Sequence, residues 1–132
     1  MGDNRTTYIS TRGNADVLDF AGATLTGLAS DGGLYVPREW PHFTSEQIES
    51  MRGLDYVDLA ACVMAPFTAG VLDENELKGL CKAAYGSFAH IGVTPLKQLD
   101  HQHFLLELFH GPTLAFKDVA LQLLGQLFER FL

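Results

Sequence analysis

One lysine stands where an apolar run ends and a helical pattern begins, a position well suited to covalent chemistry. Lys117 follows the turn-forming pair Gly111-Pro112 and precedes Asp118 and an apolar helical stretch. A lysine held against apolar neighbours can present a neutral amine that attacks a carbonyl carbon, as Schiff-base chemistry requires. From charge and position alone, the alternative is a lysine whose stem covers apolar surface while its ammonium group reaches water.

Several side chains beside this lysine are candidates for a site. His110 and Thr113 could reach a substrate phosphate or a proton, or could only complete the backbone bonds of the turn. Phe116 could form one wall of a cofactor site or belong to the core. We expect Asp118 to cap the following helix and Gly111 to permit either a particular backbone shape or a close approach.

Metal and dinucleotide chemistry have little support in the sequence. His101 and His103 would share one face of a strand with His110 nearby, but no acidic or cysteine partner stands at ligand spacing. We therefore expect no metal site. The segment Ser30-Asp31-Gly32-Gly33 lacks the spacing of a dinucleotide or P-loop fingerprint and indicates a turn.

Helix signals dominate the first two thirds of the chain. Thr44-Ser45-Glu46-Gln47 is a capping-box sequence, and Asp55 and Asp73 are expected to begin two further helices. Asp19 could begin a helix that runs to about Ala29, and Tyr8–Thr11 is expected to be a short strand.

The pattern changes near residues 90–103. The run Phe104–Phe109 is nearly continuous in apolar residues and predicts a buried strand, and residues 118–132 predict a helix with one apolar stripe. The stripe comprises Val119, Leu123, Leu124, Leu127, Phe128, Phe131 and Leu132. Strand, turn and helix are the start of an α/β unit. We predict a mostly helical domain with short strands at residues 1–95 and the beginning of a second domain at 96–132.

Bulk properties exclude some classes of function. The 132 residues carry a net charge of −7, which argues against nucleic acid or an anionic membrane as partner. No apolar run is long enough to span a membrane, and the first residues lack a signal-peptide core. Residues 1–6 match a loose acylation pattern that is too common to carry weight. Cys62 and Cys81 are expected to be free thiols in a reducing cytoplasm.

The lysine segment, Phe109 to Asp118, closely resembles the segment of threonine synthases that carries the cofactor lysine. Tyr8–Gly13 resembles the opening of that family, and Gly27–Pro37 resembles its next segment. Asp19-Phe20 and Thr94–Leu96 fit the same pattern in the same order. Because members of the family are much longer, the resemblance implies the amino-terminal portion of the enzyme, an α/β protein that is α+β over this stretch.

The resemblance implies a lyase dependent on pyridoxal 5′-phosphate (PLP) that converts O-phospho-L-homoserine and water into L-threonine and phosphate. Lys117 would hold PLP and move protons, Phe116 would contact PLP, and His110 and Thr113 would contact substrate. The glycine-rich loop that binds the cofactor phosphate is expected beyond Leu132. The chain alone is expected to be inactive.

Two alternatives stay open. One is a related phospho-lyase that eliminates phosphate and releases 2-oxobutyrate, and the other is a non-catalytic helical interaction module. In either case the apolar stripe after residue 118 is expected to need a sheet that these residues cannot complete. We therefore predict that the chain self-associates through this helix or that residues after about 100 are poorly ordered.

Overall fold

The computed structural model describes residues 5–132, so most of the acylation pattern at residues 1–6 lies outside them. Over this range the strands are β1 (Thr7–Ser10), β2 (Leu18–Asp19), β3 (Tyr35–Pro37), β4 (Leu96–Gln98) and β5 (Phe104–Leu106). The helices are α1 (Phe20–Thr26), α2 (Ser45–Ser50), α3 (Tyr56–Thr68), α4 (Glu74–Tyr85) and α5 (Asp118–Phe131). This mixture of helices and short strands confirms the α+β prediction for this part of an α/β protein.

A three-stranded antiparallel sheet forms the start of the chain, with strand order β2-β1-β3. In its register Ile9 lies opposite Val36, and Tyr8 lies opposite Leu18 on the other side. The Tyr8 hydroxyl donates to the carbonyl of Phe67 at 2.7 Å. This bond joins the sheet to the end of α3, and burial raises the pKa of Tyr8 to about 12.

Local capping chemistry places the central helices where the sequence predicts them. Thr44 and Gln47 form a complete capping box at the start of α2, and Asp73 and Glu76 form another at α4. Asp55 accepts a hydrogen bond from the Asp58 amide at the start of α3. Each cap satisfies amide groups that have no partner within the first helical turn.

Helix α1 is shorter than predicted. Asp19 caps it as expected, but the helix ends at Thr26 and not near Ala29. Gly27 takes a φ of 69°, which is left-handed backbone and breaks the helix. Leu28 then pairs with Leu34 in an isolated bridge outside the helix.

The core lies between α3, α4 and α5. Leu77 and Cys81 of α4 are 1% and 0% exposed, and Leu123 and Leu127 of α5 pack against the same cluster. The Tyr85 hydroxyl donates to the Val119 carbonyl at 3.2 Å, which joins α4 to the first turns of α5.

Val119, Leu123, Leu127 and Phe131 of the apolar stripe therefore pack on helices, whereas Leu132 is 94% exposed. The sheet partner that we expect for the stripe stays a prediction. Phe131 of the stripe meets Phe20 of α1 edge to face, with ring centroids 6.1 Å apart. The domain division at 95 and 96 and the self-association through α5 stay predictions.

The prediction of a buried strand at Phe104–Phe109 is wrong for the described residues. Phe104–Leu106 pairs with Leu96–Gln98 in a two-stranded antiparallel hairpin, and every residue of both strands is exposed. A two-stranded hairpin has no second layer to cover its apolar side chains unless another element packs on it. No helix within residues 5–132 is long and apolar enough to cross a membrane.

Candidate functional site

Lys117 lies at the junction between the loop after β5 and helix α5. Its backbone is already helical, with φ −66° and ψ −20°, and its carbonyl accepts hydrogen bonds from the amides of Ala120 at 3.1 Å and Leu121 at 2.8 Å. The lysine is thus fixed by the first turn of α5, which is itself docked on the core. The position agrees with the sequence prediction of a lysine at a helix start.

Asp118 does not cap α5, contrary to our expectation. It is the first residue of the helix, and no side chain caps that end. Its carboxylate turns back and accepts hydrogen bonds from the Thr113 amide at 2.7 Å and the Thr113 hydroxyl at 2.8 Å. The reason is the turn at Gly111-Pro112, which brings Thr113 close enough to compete for the carboxylate. We call this pair of bonds the 113–118 clasp.

Asp118 is buried although the loop around it, including Thr113, is exposed. Asp118 is only 3% exposed. Burial by itself would raise the pKa of Asp118, but the bonds from the Thr113 hydroxyl and amide, together with smaller contributions from Gln122 and Ala115, outweigh it, and the pKa lies below its ordinary value. The carboxylate therefore carries its charge at neutral pH.

Gly111 makes room for this carboxylate. It is buried, and a Cβ added to it would overlap the Cβ and carboxylate atoms of Asp118. This confirms the prediction of a close approach at Gly111. Four residues before α5 begins, Leu114 takes a φ of 61°, a left-handed conformation that is uncommon for a leucine.

Lys117 and Phe116 line one apolar groove of about 630 Å³. The other lining residues come from α1, α3, α4 and α5: Phe20, Thr24, Met64, Tyr85, Val119, Ala120, Leu121, Leu123, Leu124 and Leu127. Both Lys117 and Phe116 are exposed, Phe116 by 65%. Among residues 5–132 no carboxylate forms an ion pair with Lys117. Its amine is thus accessible beside a nonpolar surface.

His110 and Thr113 are close to the lysine in sequence but do not line this groove. The His110 Nε2 atom lies 2.8 Å from a carboxylate oxygen of Glu107, with both side chains less than one fifth exposed (17% and 18%). The His110 ring lies 5.1 Å from that of His90, and its carbonyl accepts from the Ala89 amide at 2.9 Å. In this structure both residues make hydrogen bonds that stabilise the loop between β5 and α5. Their contact with substrate stays a prediction.

The remaining histidines of the region serve the hairpin. His103 Nδ1 lies 2.9 Å from both carboxylate oxygens of Asp100, which also accepts from the Gln102 amide. His101 is exposed and belongs to the same turn. Within residues 5–132 no three histidine, cysteine or acidic side chains converge as a metal site would require.

Two clusters of polar residues were missed by sequence reasoning. Asp31 accepts hydrogen bonds from the Ser10 hydroxyl at 2.7 Å and from the amides of Asn14 and Gly33, both at 2.9 Å. These bonds, with that from Ser10 foremost, lower the pKa of Asp31. No local spacing could reveal these partners, since Ser10 and Asn14 lie on a different segment. The pairing of Glu107 with His110 has a visible signal, because an acid and a histidine stand three residues apart.

Comparison with known proteins finds similarity to threonine synthases along nearly the whole chain. A family model described as threonine synthase N terminus matches residues 7–85. The chain is 56% identical to threonine synthase of Pseudomonas aeruginosa, covering 95% of this chain and 27% of the relative. It is 45% identical to threonine synthase of Schizosaccharomyces pombe, covering 98% of this chain and 25% of the relative.

Solved structures agree with these relatives. The PLP-bound threonine synthase of Brucella melitensis superposes with a TM-score of 0.92 at 52% identity, over 96% of this chain and 27% of that one. The chain thus spans about a quarter of the length of the relatives it matches. Because the family model covers more than half of the chain, and the folds agree, the chain belongs to the threonine synthase family.

Proposed function

We propose that this chain forms part of a PLP-dependent threonine synthase in which Lys117 holds the cofactor. The reaction would convert O-phospho-L-homoserine and water into L-threonine and phosphate, which makes the complete enzyme a carbon–oxygen lyase acting on phosphates. The observation that carries the proposal is the accessible amine of Lys117, at a helix start beside an apolar groove, in a chain of this family.

The residues beside Lys117 fit a planar aldehyde cofactor. Covalent attachment needs an amine that is not committed to an ion pair, and Lys117 meets this condition within the described residues. An aromatic ring such as that of Phe116 offers a flat apolar surface next to that amine. We place the cofactor contacts of this chain at Lys117 and Phe116, and substrate contacts at His110 and Thr113.

The division of labour follows from the side chains. PLP, when bound, supplies an electron sink for carbanions. The Lys117 amine would move protons at the α and β carbons of the substrate, and phosphate would leave from the γ carbon. An arginine at this position could not do so, because its guanidinium stays protonated.

The division into residues 1–95 and 96–132, and the inactivity of these residues alone, belong to the same proposal. We also place the enzyme in the cytoplasm, where the two free thiols, Cys62 and Cys81, would stay reduced.

The test is a substitution of the lysine in the complete protein encoded by the gene. Borohydride reduction of the PLP-treated protein should produce one adduct, at Lys117, and Lys117→Ala should abolish both the adduct and turnover. Lys97→Ala is the matched control, because Lys97 is an exposed lysine on the hairpin, away from the groove. Normal turnover of the Lys117→Ala protein would end the proposal.

Product analysis separates the two reactions open to this family of chemistry. Threonine and phosphate in equal amounts from O-phospho-L-homoserine would support the synthase. Phosphate with 2-oxobutyrate would identify the phospho-lyase instead. Labelling spread over the lysines of the protein, including Lys78, Lys82 and Lys97 of these residues, without a preferred adduct at Lys117, would favour a non-catalytic module.

A further inference from the structure

We infer that the 113–118 clasp positions the amine of Lys117, with Asp118 and Thr113 acting as positioning residues for the proposed cofactor site. The inference rests on the proposed function, and it gives Thr113 a positioning role in addition to the substrate contact proposed above. In this role Thr113 and Asp118 act through the backbone on either side of Lys117, without contacting the reacting atoms.

The first step is the direction in which the Asp118 carboxylate points. A residue at the start of a helix commonly uses its carboxylate to bond the amides of the first turn. Asp118 instead accepts from the amide and hydroxyl of Thr113, at 2.7 Å and 2.8 Å. The charged carboxylate thus binds the preceding loop to the start of the helix.

The second step is what the clasp encloses. The residues between Thr113 and Asp118 end with Phe116 and Lys117, the two predicted cofactor residues that line the groove. The Asp118 amide also donates to the Ala115 carbonyl at 3.0 Å. Both the backbone and the side chain of Asp118 are therefore bonded to this short segment. Holding its two ends together restricts where the lysine stem can start.

The third step is that neighbouring residues are adapted to the clasp. Gly111 has no Cβ, and one placed there would overlap the Asp118 carboxylate. Leu114 adopts a left-handed φ of 61° within the enclosed segment. Residues held in such conformations need surrounding structure that over-determines them, and here the clasp supplies it.

The test measures how well the folded protein directs PLP to Lys117. The complete protein is treated with PLP, reduced with borohydride, and digested, and mass spectrometry compares the adduct on Lys117 with those on every other lysine of the protein. The variants are Thr113→Val, which removes one bond, Asp118→Asn, which removes the charge, and Thr113→Ser, which keeps the hydroxyl. Far-UV circular dichroism confirms that each variant is folded.

Asp100→Asn is the matched control. Asp100 also accepts backbone amides in a turn and carries one charge, but it lies on the hairpin and does not contact α5 or the groove. A purely structural role of the clasp would lower stability in Thr113→Val without changing which lysine PLP selects.

We expect Thr113→Val and Asp118→Asn to lower the preference for Lys117 by about tenfold, the factor for one hydrogen bond to a charged group. Thr113→Ser should restore it, and Asp100→Asn should leave it unchanged. An unaltered preference in folded Thr113→Val and Asp118→Asn would overturn the clasp while leaving the proposed function intact. No preference for Lys117 in the unsubstituted protein would overturn the proposed function and the clasp with it.

Discussion

Helix α5 places Lys117, and the strongest prediction concerns what keeps that helix in place. Leu127 is 6% exposed in the core cluster, whereas Leu121 on the same helix is 53% exposed. Leu127→Ala would remove three buried carbons, worth about 2.4 kcal/mol at 0.8 kcal/mol each, and leave a cavity that brings the loss to about 3 kcal/mol. Leu121→Ala would lose about 1 kcal/mol, because half of that side chain is already in water.

The assay is urea unfolding followed by far-UV circular dichroism, repeated at two protein concentrations. Trp40 is 70% exposed, so its fluorescence would report poorly on the core. With a denaturant slope of about 1.5 kcal/mol/M, Leu127→Ala should lower the midpoint by about 2 M and Leu121→Ala by less than 1 M. The two variants share a helix and a residue type, so helix propensity cancels between them.

Equal losses in the two variants would refute the reasoning. That result would mean that α5 is not docked on α4 in solution, and it would support the sequence-based expectation that residues after about 100 are poorly ordered. A large loss for Leu127→Ala, with no dependence on protein concentration, would show that the stripe is satisfied within one chain.

Three further predictions follow from individual side chains. Burial raises the pKa of Cys81 to about 11, so iodoacetamide should modify the partly exposed Cys62 in the native protein and Cys81 only after unfolding, as peptide mapping would show. The lowered pKa of Asp118 stabilises the fold fully above the ordinary carboxyl range near pH 4, and this contribution is lost as pH falls through the lowered value. Asp118→Asn should therefore flatten the acid limb of a stability profile. Leu114→Gly should raise the melting temperature, since it relieves a left-handed φ at a side chain that is 72% exposed, whereas Val93→Gly should lower it, because Val93 has a φ of 53° but is only 3% exposed.

The sequence predicts features whose partners lie within a few residues. Thr44, Asp55 and Asp73 cap their helices as expected, because a cap bonds an amide three residues further along the chain. The close approach at Gly111 is predictable for a related reason, since the turn and the following helix are adjacent. The lysine at the helix start belongs to the same class.

Features that depend on distant partners were not predictable. The apolar run Phe104–Leu106 indicates burial, but it cannot say whether a second layer covers it, and here none of the described residues does. The stripe of α5 indicates a partner without identifying it, and among the described residues the partners are α4 and α1. Asp118 does not cap α5 because its carboxylate accepts hydrogen bonds from the amide and hydroxyl of Thr113 instead.

Two segments of the chain resemble the family for different physical reasons. The segments near Ser10 and Asp31 lie on the β2-β1-β3 sheet and its connecting turn, and their polar atoms bond one another. Gly33 lacks a Cβ because one would overlap the Ser10 hydroxyl, so this likeness follows from packing and turn geometry. The lysine segment differs, since its amine is left free at a groove while its neighbours are tightly bonded. A group that is accessible while everything around it is held in place is what a positioned reagent requires, and this contrast supports our proposal that the chemistry occurs at the start of α5.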